Sequence, residues 1–391
     1  MATLCIIGPS KRFFSGISAY TICLANALSK GNDASVLLLR NLLPKFLYPG
    51  KGQIGRIDHS LRFAPGILSF DGMDWNSPLS WIRAYRFLKQ QKTDVIIMQW
   101  WTSSVAHMQL FLALINRLKI KAKLILEMHE IVDPLEERIL PIRLYSRVMG
   151  RLLKRRVDAF VVHASSVKDQ VTRIYGLKED SVIVIPHALL LFGAYYQDCD
   201  KQAAKDKLGI SEEFVILYFG LIRKYKGVPC LVEAFNKLPR DIALHSRLVI
   251  AGEDWGDETC LGDMINSSPY KEQITYKPQF IPDDMVPKYF SAADVVVLPY
   301  LRTAGSGVAS IAMAYGKPLI ISDLEVLRES VIDYEGAMFT PVGDSAAIAR
   351  KLTEVYNRCK SGETMVFNPP QNTWDTVARH YQVLIEELNS N

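Results

Sequence analysis

No two cysteines in this chain lie close together. The six, Cys5, Cys23, Cys199, Cys230, Cys260 and Cys359, have neither the paired spacing of a zinc ribbon nor the density of a disulfide framework. Both are excluded, and a reducing, cytoplasmic setting follows. No apolar run reaches about 18 residues, the length that would cross a bilayer. The N-terminal "MATLCIIGPSKRFFSG" has no basic region ahead of its short apolar run, so it reads as a first strand and not as a secretory leader. Internal repeats and low-complexity tracts are also missing, which removes solenoids and disordered tails from consideration.

What is present is a chain of 391 residues that is 49% hydrophobic, ample for two cores and too long for one typical domain. Its net charge of +5 conceals an asymmetry. Residues 1 to 190 hold 26 Lys and Arg against 14 Asp and Glu, a balance of +12, and the remainder hold 20 against 27, a balance of −7. Such a split suggests that the first half faces something anionic.

Apolar runs alternate with amphipathic stretches along the whole chain, the pattern of βαβ units around mostly parallel sheets. In the first half the expected strands are "TLCIIG", "ASVLLL", "DVIIMQW", "KLILEM", "AFVVHA" and "VIVIP"; in the second they are "VILYFG", "RLVIAG", "ITYKPQ", "VVVLPY" and "PLIIS". Each half reads as its own doubly wound α/β domain. The linker is expected between Leu189 and Glu213, with domains at 1–195 and 196–370 and a closing helix, capped by Thr373, in 371–391.

Open α/β sheets bind ligands at the carboxyl ends of their strands, so the strand-to-helix turns carry the functional reading. Ser15 and Gly16 follow the first strand, where a residue without a side chain permits close backbone approach; an ordinary loop fits them equally. His129, in "LILEMHEIVDP", stands just beyond a strand end, placed either to handle a proton or hydrogen bond at neutral pH or to fill a structural niche. "VILYFGLIRKYKGVPCLVEAFNKL" sets Arg223, Lys224 and Lys226 on a short loop between Gly220 and Gly227, ahead of a helix. Cations there can clamp a diphosphate, or simply be solvated. "PYLRTAGSGVASIAMAYGKPLI" runs from a strand through a Gly-Ser-Gly turn into a short helix from Val308 to Tyr315, closed by Gly316. The amides of Ser306 and Gly307 are then donors at a helix N-terminus. Two anion-directed turns on neighbouring strands make diphosphate binding the economical reading.

In order along the chain, "SGISAYT", "QWW", "MHE", "VIPH", "FGLIRKYKG", "VIAGEDW", "YFSAADVVVLPY", "SGVASIAMAYGKPLI" and "TWDTVARHY" resemble the retaining, nucleotide-sugar-dependent glycosyltransferases of family four. The resemblance covers nearly the whole chain. It implies the GT-B fold: two Rossmann-like domains facing a cleft, an N-terminal one for the acceptor and a C-terminal one for the nucleotide sugar, with the last helix crossing back to the first domain. By the same resemblance His129, Arg223 and Lys226 are the expected catalytic residues, His129 at the transferred sugar and the two cations at the diphosphate. Ser15, Gly16, Thr303, Ser306, Gly307 and Glu329 are the expected donor-binding residues. Arg223 takes the task of an arginine that relatives carry where this chain has Leu221. Many relatives also carry two glutamates where this chain has Thr303 and Ile311, so it looks like a subgroup with "S-G-V" at the helix start.

The implied reaction is transfer of a hexose, mannose or glucose by family frequency, from a nucleotide diphosphate sugar with retention of configuration. No cofactor and no metal are expected, because Arg223, Lys226 and two helix N-termini can stabilise the leaving diphosphate. Asp283 and Asp284 precede a helical pattern and read as N-capping residues, not as a metal pair. The acceptor is expected to be a glycan or a lipid-linked one. "RLYSRVMGRLLKRR" sets Arg143, Arg147, Arg151 and Arg155 on one helical stripe with apolar residues on another face, suited to peripheral contact with an anionic membrane and equally to a solvated basic face over a buried one. No aromatic-interleaved motif points to nucleic acid. A nicotinamide oxidoreductase is disfavoured by the lack of G-x-G-x-x-G in the first turn. A catalytically silent homologue acting as a scaffold is the other alternative, since Thr303 and Ile311 remove two carboxylates that active relatives use.

Overall fold

The computed structural model describes residues 2–11, 16–42, 62–129, 140–188, 199–255, 261–303 and 305–390. The chain divides into two units, Met1–Ala188 with Asn372–Asn391, and Leu189–Gln371. The sequence expectation had set these boundaries at 195/196 and 370/371.

Unit 1 is built on a seven-stranded sheet in the order β3-β2-β1-β4-β5-β6-β7, and every pairing in it is parallel. Its strands are β1 Thr3–Pro9, β2 Asp33–Asn41, β3 Leu68–Asp74, β4 Val95–Trp100, β5 Lys123–Met128, β6 Ala159–Val162 and β7 Val182–Val184. Unit 2 has a six-stranded parallel sheet ordered β10-β9-β8-β11-β12-β13. Here the strands are β8 Phe214–Phe219, β9 Ser246–Ala251, β10 Ile274–Lys277, β11 Val295–Leu298, β12 Leu319–Ser322 and β13 Ala337–Thr340. The helices that bear on the sites are α1 Gly16–Leu28, α2 Leu140–Lys154, α3 Val228–Asn236, α4 Val286–Ala292, α5 Gly307–Ala314, α6 Glu325–Ser330 and α7 Trp374–Ser390.

Central strands are buried on both faces, which is why they read as continuous apolar runs: every residue of β4, β6, β11 and β12 is buried. Strand order reverses between β1 and β4 in unit 1 and between β8 and β11 in unit 2. At such a reversal the flanking loops diverge and leave a crevice at the carboxyl ends of the strands.

Helix α7 belongs to unit 1 although it is last in sequence. Val377, Tyr381, Leu384 and Ile385, at helical spacing, are buried in one cluster with Tyr20, Leu24, Ala25 and Leu28 of α1. Each such side chain taken out of water contributes about 1.5–3 kcal/mol, so the tail is bound by its apolar face. Its start is fixed by Thr373, whose Oγ1 accepts from the amide of Thr376 at 3.3 Å.

Within the stretch expected to hold the linker lies a helix, Lys201–Leu208, whose N-cap Asp200 accepts from the Ala203 amide. Asp283 and Asp284, expected as N-capping residues, stand just ahead of α4, and the side chain of Asp283 lies outside the described set. They form a 3-10 turn with Met285, and Met285 occupies the cap position with no side-chain cap hydrogen bond.

Candidate active site

In unit 1 three consecutive strands each deliver a histidine at their carboxyl end. His129 follows β5, His163 follows β6, and His187 lies three residues past β7. Their rings form a stack, with His163 and His187 centroids 3.7 Å apart and His129 and His163 4.9 Å apart. The Tyr20 ring meets all three edge-on, and it meets the Trp374 ring in the same way at 5.0 Å.

Beneath the stack lies Glu127, fully buried near the end of β5. Its Oε1 accepts from the hydroxyls of Tyr20 at 2.6 Å and Tyr381 at 2.7 Å, and its Oε2 accepts from Gln99 Nε2 at 3.1 Å. Nε2 of His129 is 3.6 Å from Oε2, and Nε2 of His163 is 3.8 Å from Oε1. Burial alone would raise this carboxyl's pKa; the imidazoles of His129 and His163 and the Tyr20 hydroxyl outweigh it and hold the group down to about 2. Glu127 is therefore an interior carboxylate. His163 goes the other way, pushed down to about 4 by burial and by His129, and His187 is pushed well below the ordinary histidine range for the same reasons. Both are neutral at pH 7. His163 Nδ1 lies 2.9 Å from the Ile185 carbonyl, an acceptor only, so Nδ1 carries the proton and Nε2 the lone pair.

Among the described residues these three histidines are the group whose ring nitrogens come within 4.8 Å of one another. Their planes are nearly parallel, inclined by 26° to 32°. In-plane lone pairs of stacked rings run side by side and do not converge on one ion, so the arrangement is an aromatic stack before it is a metal cage.

Unit 2 gathers its cations at the point where its strand order reverses. Lys224–Lys226 is a single 3-10 turn between β8 and α3, ended by Gly227 at φ +67°. A Cβ there would come within 1.9 Å of the Pro299 carbonyl, so the loop after β8 presses directly against the loop after β11. The Leu301 amide donates to the Tyr225 carbonyl across that contact at 2.8 Å. Lys226 Nζ sits 3.7 Å above the Tyr300 ring, and the Tyr300 hydroxyl lies 3.2 Å from Ser306 Oγ. Ser306 is the N-cap of α5, accepting from the Ala309 amide, while Gly316 at φ +62° closes that helix. Arg223 lies over the Trp255 and Tyr225 rings at 5.1 and 5.5 Å.

The remaining expected residues fall as follows. Gly16 opens α1, and Ser15 lies outside the described residues. Thr303 closes its own turn, accepting from the Gly305 amide at 3.1 Å, and Gly307 is the first residue of α5. Ile311, on α5, packs against the unit 2 core. Glu329 is half-buried on α6. Arg151 is exposed on α2, and Arg155 is exposed in the turn just after it, while the side chains of Arg143 and Arg147 are outside the described set. The apolar face of α2 departs from a wholly buried one: Leu140, Leu144 and Val148, four residues apart, are 71%, 64% and 46% exposed.

Sequence reasoning singled out His129, Arg223 and Lys226; Tyr20, Gln99, His187 and Tyr381 stood in the quoted motifs "SGISAYT", "QWW", "VIPH" and "TWDTVARHY" with no role assigned, and Glu127 and His163 were not singled out. The signal that flagged His129, a histidine just past an apolar strand, was present twice more, in "AFVVHA" and "VIVIPH". The pairing of Tyr381 with Glu127 had no local signal, because the two lie 254 positions apart.

Two family models match, one to each half. Glycosyltransferase Family 4 covers residues 14–189 and Glycosyl transferases group 1 covers residues 200–367. The chain belongs to the glycosyltransferases of this family. Among curated relatives, an uncharacterized glycosyltransferase of Methanocaldococcus jannaschii is 26% identical over 58% of this chain and 60% of its own length. A D-inositol 3-phosphate glycosyltransferase of Nocardia farcinica is 28% identical over 48% of this chain and 43% of its own. The chain thus spans about half the length of the curated relatives it matches. Among solved structures, sucrose-phosphate synthase from Thermosynechococcus elongatus superposes with a TM-score of 0.72 at 16% identity, both chains being fully covered. Anabaena HepE in complex with UDP and glucose gives 0.67 at 16% identity, also over both whole chains. The fold is that of the GT-B glycosyltransferases.

Proposed function

We propose that this glycosyltransferase moves a hexose from a nucleotide diphosphate sugar to a glycan or lipid-linked acceptor, with retention of configuration and without a metal ion. The observation that carries the reading is the contact chain in unit 2 from Lys226 through the Tyr300 ring to Ser306 at the start of α5. It puts a cation beside a helix N-terminus where the strand order reverses, which is the combination a diphosphate recognises. As the bond to the sugar breaks, negative charge grows on the departing diphosphate. Lys226, Arg223 and the amides at the start of α5 are the groups assigned to hold it. In a front-face displacement the departing phosphate takes the proton of the acceptor hydroxyl. His129 is assigned to the transferred sugar, and mannose and glucose are the sugars to try first.

The acceptor reading rests on unit 1. Leu140, Leu144 and Val148 form an exposed apolar strip on α2, beside the exposed Arg151 and Arg155. Such a strip suits a peripheral position on an anionic leaflet. Among the described residues no helix is long and apolar enough to cross a membrane.

The test is a thermal shift with UDP, GDP, ADP and their sugar conjugates, each with magnesium and with EDTA, followed by turnover of whichever binds. A ligand at about 100 times its dissociation constant adds roughly 2.7 kcal/mol. A shift with one nucleotide that survives EDTA, together with sugar transfer, is expected. Absence of a shift with every nucleotide would favour a catalytically silent homologue, and dependence on magnesium would overturn the metal-free reading.

A further inference from the structure

Glu127 has no exposure, yet it is neither a donor-site group nor a simple structural ion pair. An interior carboxylate needs donors on both oxygens, and here they come from three elements: Tyr20 on α1, Gln99 on β4 and Tyr381 on α7. The orientation of Gln99 is fixed by the carboxylate, which only accepts, so the amide nitrogen of Gln99 must face Glu127 Oε2 and its Oε1 the hydroxyl of Thr21. With two hydroxyls on Oε1 and only one amide on Oε2, the free lone pair of the carboxylate is on Oε2. That is the oxygen 3.6 Å from His129 Nε2, a buried nitrogen with no hydrogen-bond partner. The side chain of His129 is 6% exposed and that of Glu127 is 0%, so little solvent screens the pair.

A neutral imidazole has one proton and two nitrogens to choose from, and a carboxylate beside one of them decides the choice. His163 shows the opposite case, with its proton held at Nδ1 by the Ile185 carbonyl. We propose that Glu127, held in place by Tyr20, Gln99 and Tyr381, is a positioning residue that fixes His129 as the Nε2–H tautomer and leaves Nδ1 as the ring's acceptor for a substrate hydroxyl. One consequence is that the last helix of the chain, through Tyr381, supports a residue at the end of β5. The catalytic part of this inference rests on the assignment of His129 to the sugar; the tautomer does not.

The experiment is long-range 1H–15N correlation on the full chain labelled with 15N-histidine, at a pH where His129 is neutral, with His129→Asn used to assign its signals. In the wild type, Nε2 of His129 is expected at the protonated position and Nδ1 at the unprotonated one. In Glu127→Gln the new amide can donate to Nε2, so the proton is expected to move to Nδ1. Turnover in that variant should fall on the order of 100-fold or more with the donor KM little changed, as happens when a carboxylate that orients a catalytic imidazole is amidated. Tyr381→Phe, which keeps the carboxylate, should retain the wild-type tautomer. A wild-type His129 protonated at Nδ1 overturns the proposal whatever the variants do, and so does a histidine spectrum that changes when EDTA is added, since a metal would then hold the rings. With the tautomer as expected and turnover undiminished in Glu127→Gln, the positioning stands and the assignment of His129 to the sugar falls.

Discussion

At the residue scale, the two sites use charge in opposite ways. Lys226 is a cation set over an aromatic face beside a helix start, where it can meet a negative ligand. Removing such a group from a transition state in which charge develops costs on the order of 100-fold to 1,000-fold in rate. Lys226→Ala is expected to lower kcat for sugar transfer by that order while the melting temperature stays close to that of the wild type; normal turnover would sink the diphosphate assignment. His163 and His187 illustrate the reverse, groups kept neutral by burial. The folded-state pKa of His163 is about 4 against an ordinary 6.5, and that of His187 is also depressed. Between those values the unfolded chain binds the proton and the folded chain does not, so stability is full above about pH 6.5 and is lost as pH falls toward 4. The slope is at most about 1.4 kcal/mol per pH unit for each histidine. Glu127 adds to this loss only below 4.5, where its own ordinary range begins. Urea unfolding at pH 7 and pH 5 should show His163→Leu losing less stability than the wild type by about 1–2 kcal/mol. Equal losses would mean that His163 is already protonated in the folded state.

At the element scale, the loops after β8 and β11 act as one piece because Gly227 lets them touch. With φ at +67° and the Pro299 carbonyl 1.9 Å from where a Cβ would stand, any side chain there must push the two loops apart. Gly227→Ala is therefore expected to lower stability by about 2 kcal/mol or more and to weaken nucleotide binding along with it. A variant with lower stability but unchanged nucleotide affinity would show that the loop contact serves the fold alone. Elements also explain what could be read beforehand. Of the eleven legible strands, the central ones are buried on both faces and read as continuous apolar runs, while the edge strands β7 and β10 are partly exposed and were marked by clustered β-branched and aromatic residues, "VIV" and "ITY". The two that escaped, β3 "LSFDGMD" and β13 "AMFT", are also partly exposed edge strands, and they have neither a continuous apolar run nor a β-branched cluster. The cationic loop and the Ser306 turn could be found because their residues are neighbours in sequence. The support of His129 could not, because Glu127, Gln99, Tyr20 and Tyr381 meet only once α1, β4, β5 and α7 have packed. Helix α2 could not be decided beforehand for a related reason: its periodicity defined two faces, but only packing decides how much of the apolar one is covered, and Leu144 and Val148 are left exposed.

At the scale of the whole molecule, the two units carry opposite charge. Unit 1, taken as residues 1–188 and 372–391, holds 27 Lys and Arg against 17 Asp and Glu, and unit 2 holds 19 against 24. The balances are +10 and −5, which agree with the net +5 of the chain. A protein with its charge so divided approaches an anionic surface with one unit leading, and the attraction weakens as salt shortens its reach from about 10 Å at 0.1 M to about 3 Å at 1 M. The exposed strip of α2 adds an apolar contribution that salt does not remove. Sedimentation with vesicles rich in anionic lipid should show binding at 0.1 M salt, little binding to neutral vesicles, and partial retention at 1 M. Leu144→Glu with Val148→Glu should abolish the retention at 1 M without lowering the melting temperature, since both side chains are already in solvent. Failure to bind anionic vesicles at 0.1 M would leave the basic unit without a membrane role and would turn the search for the acceptor toward soluble glycans.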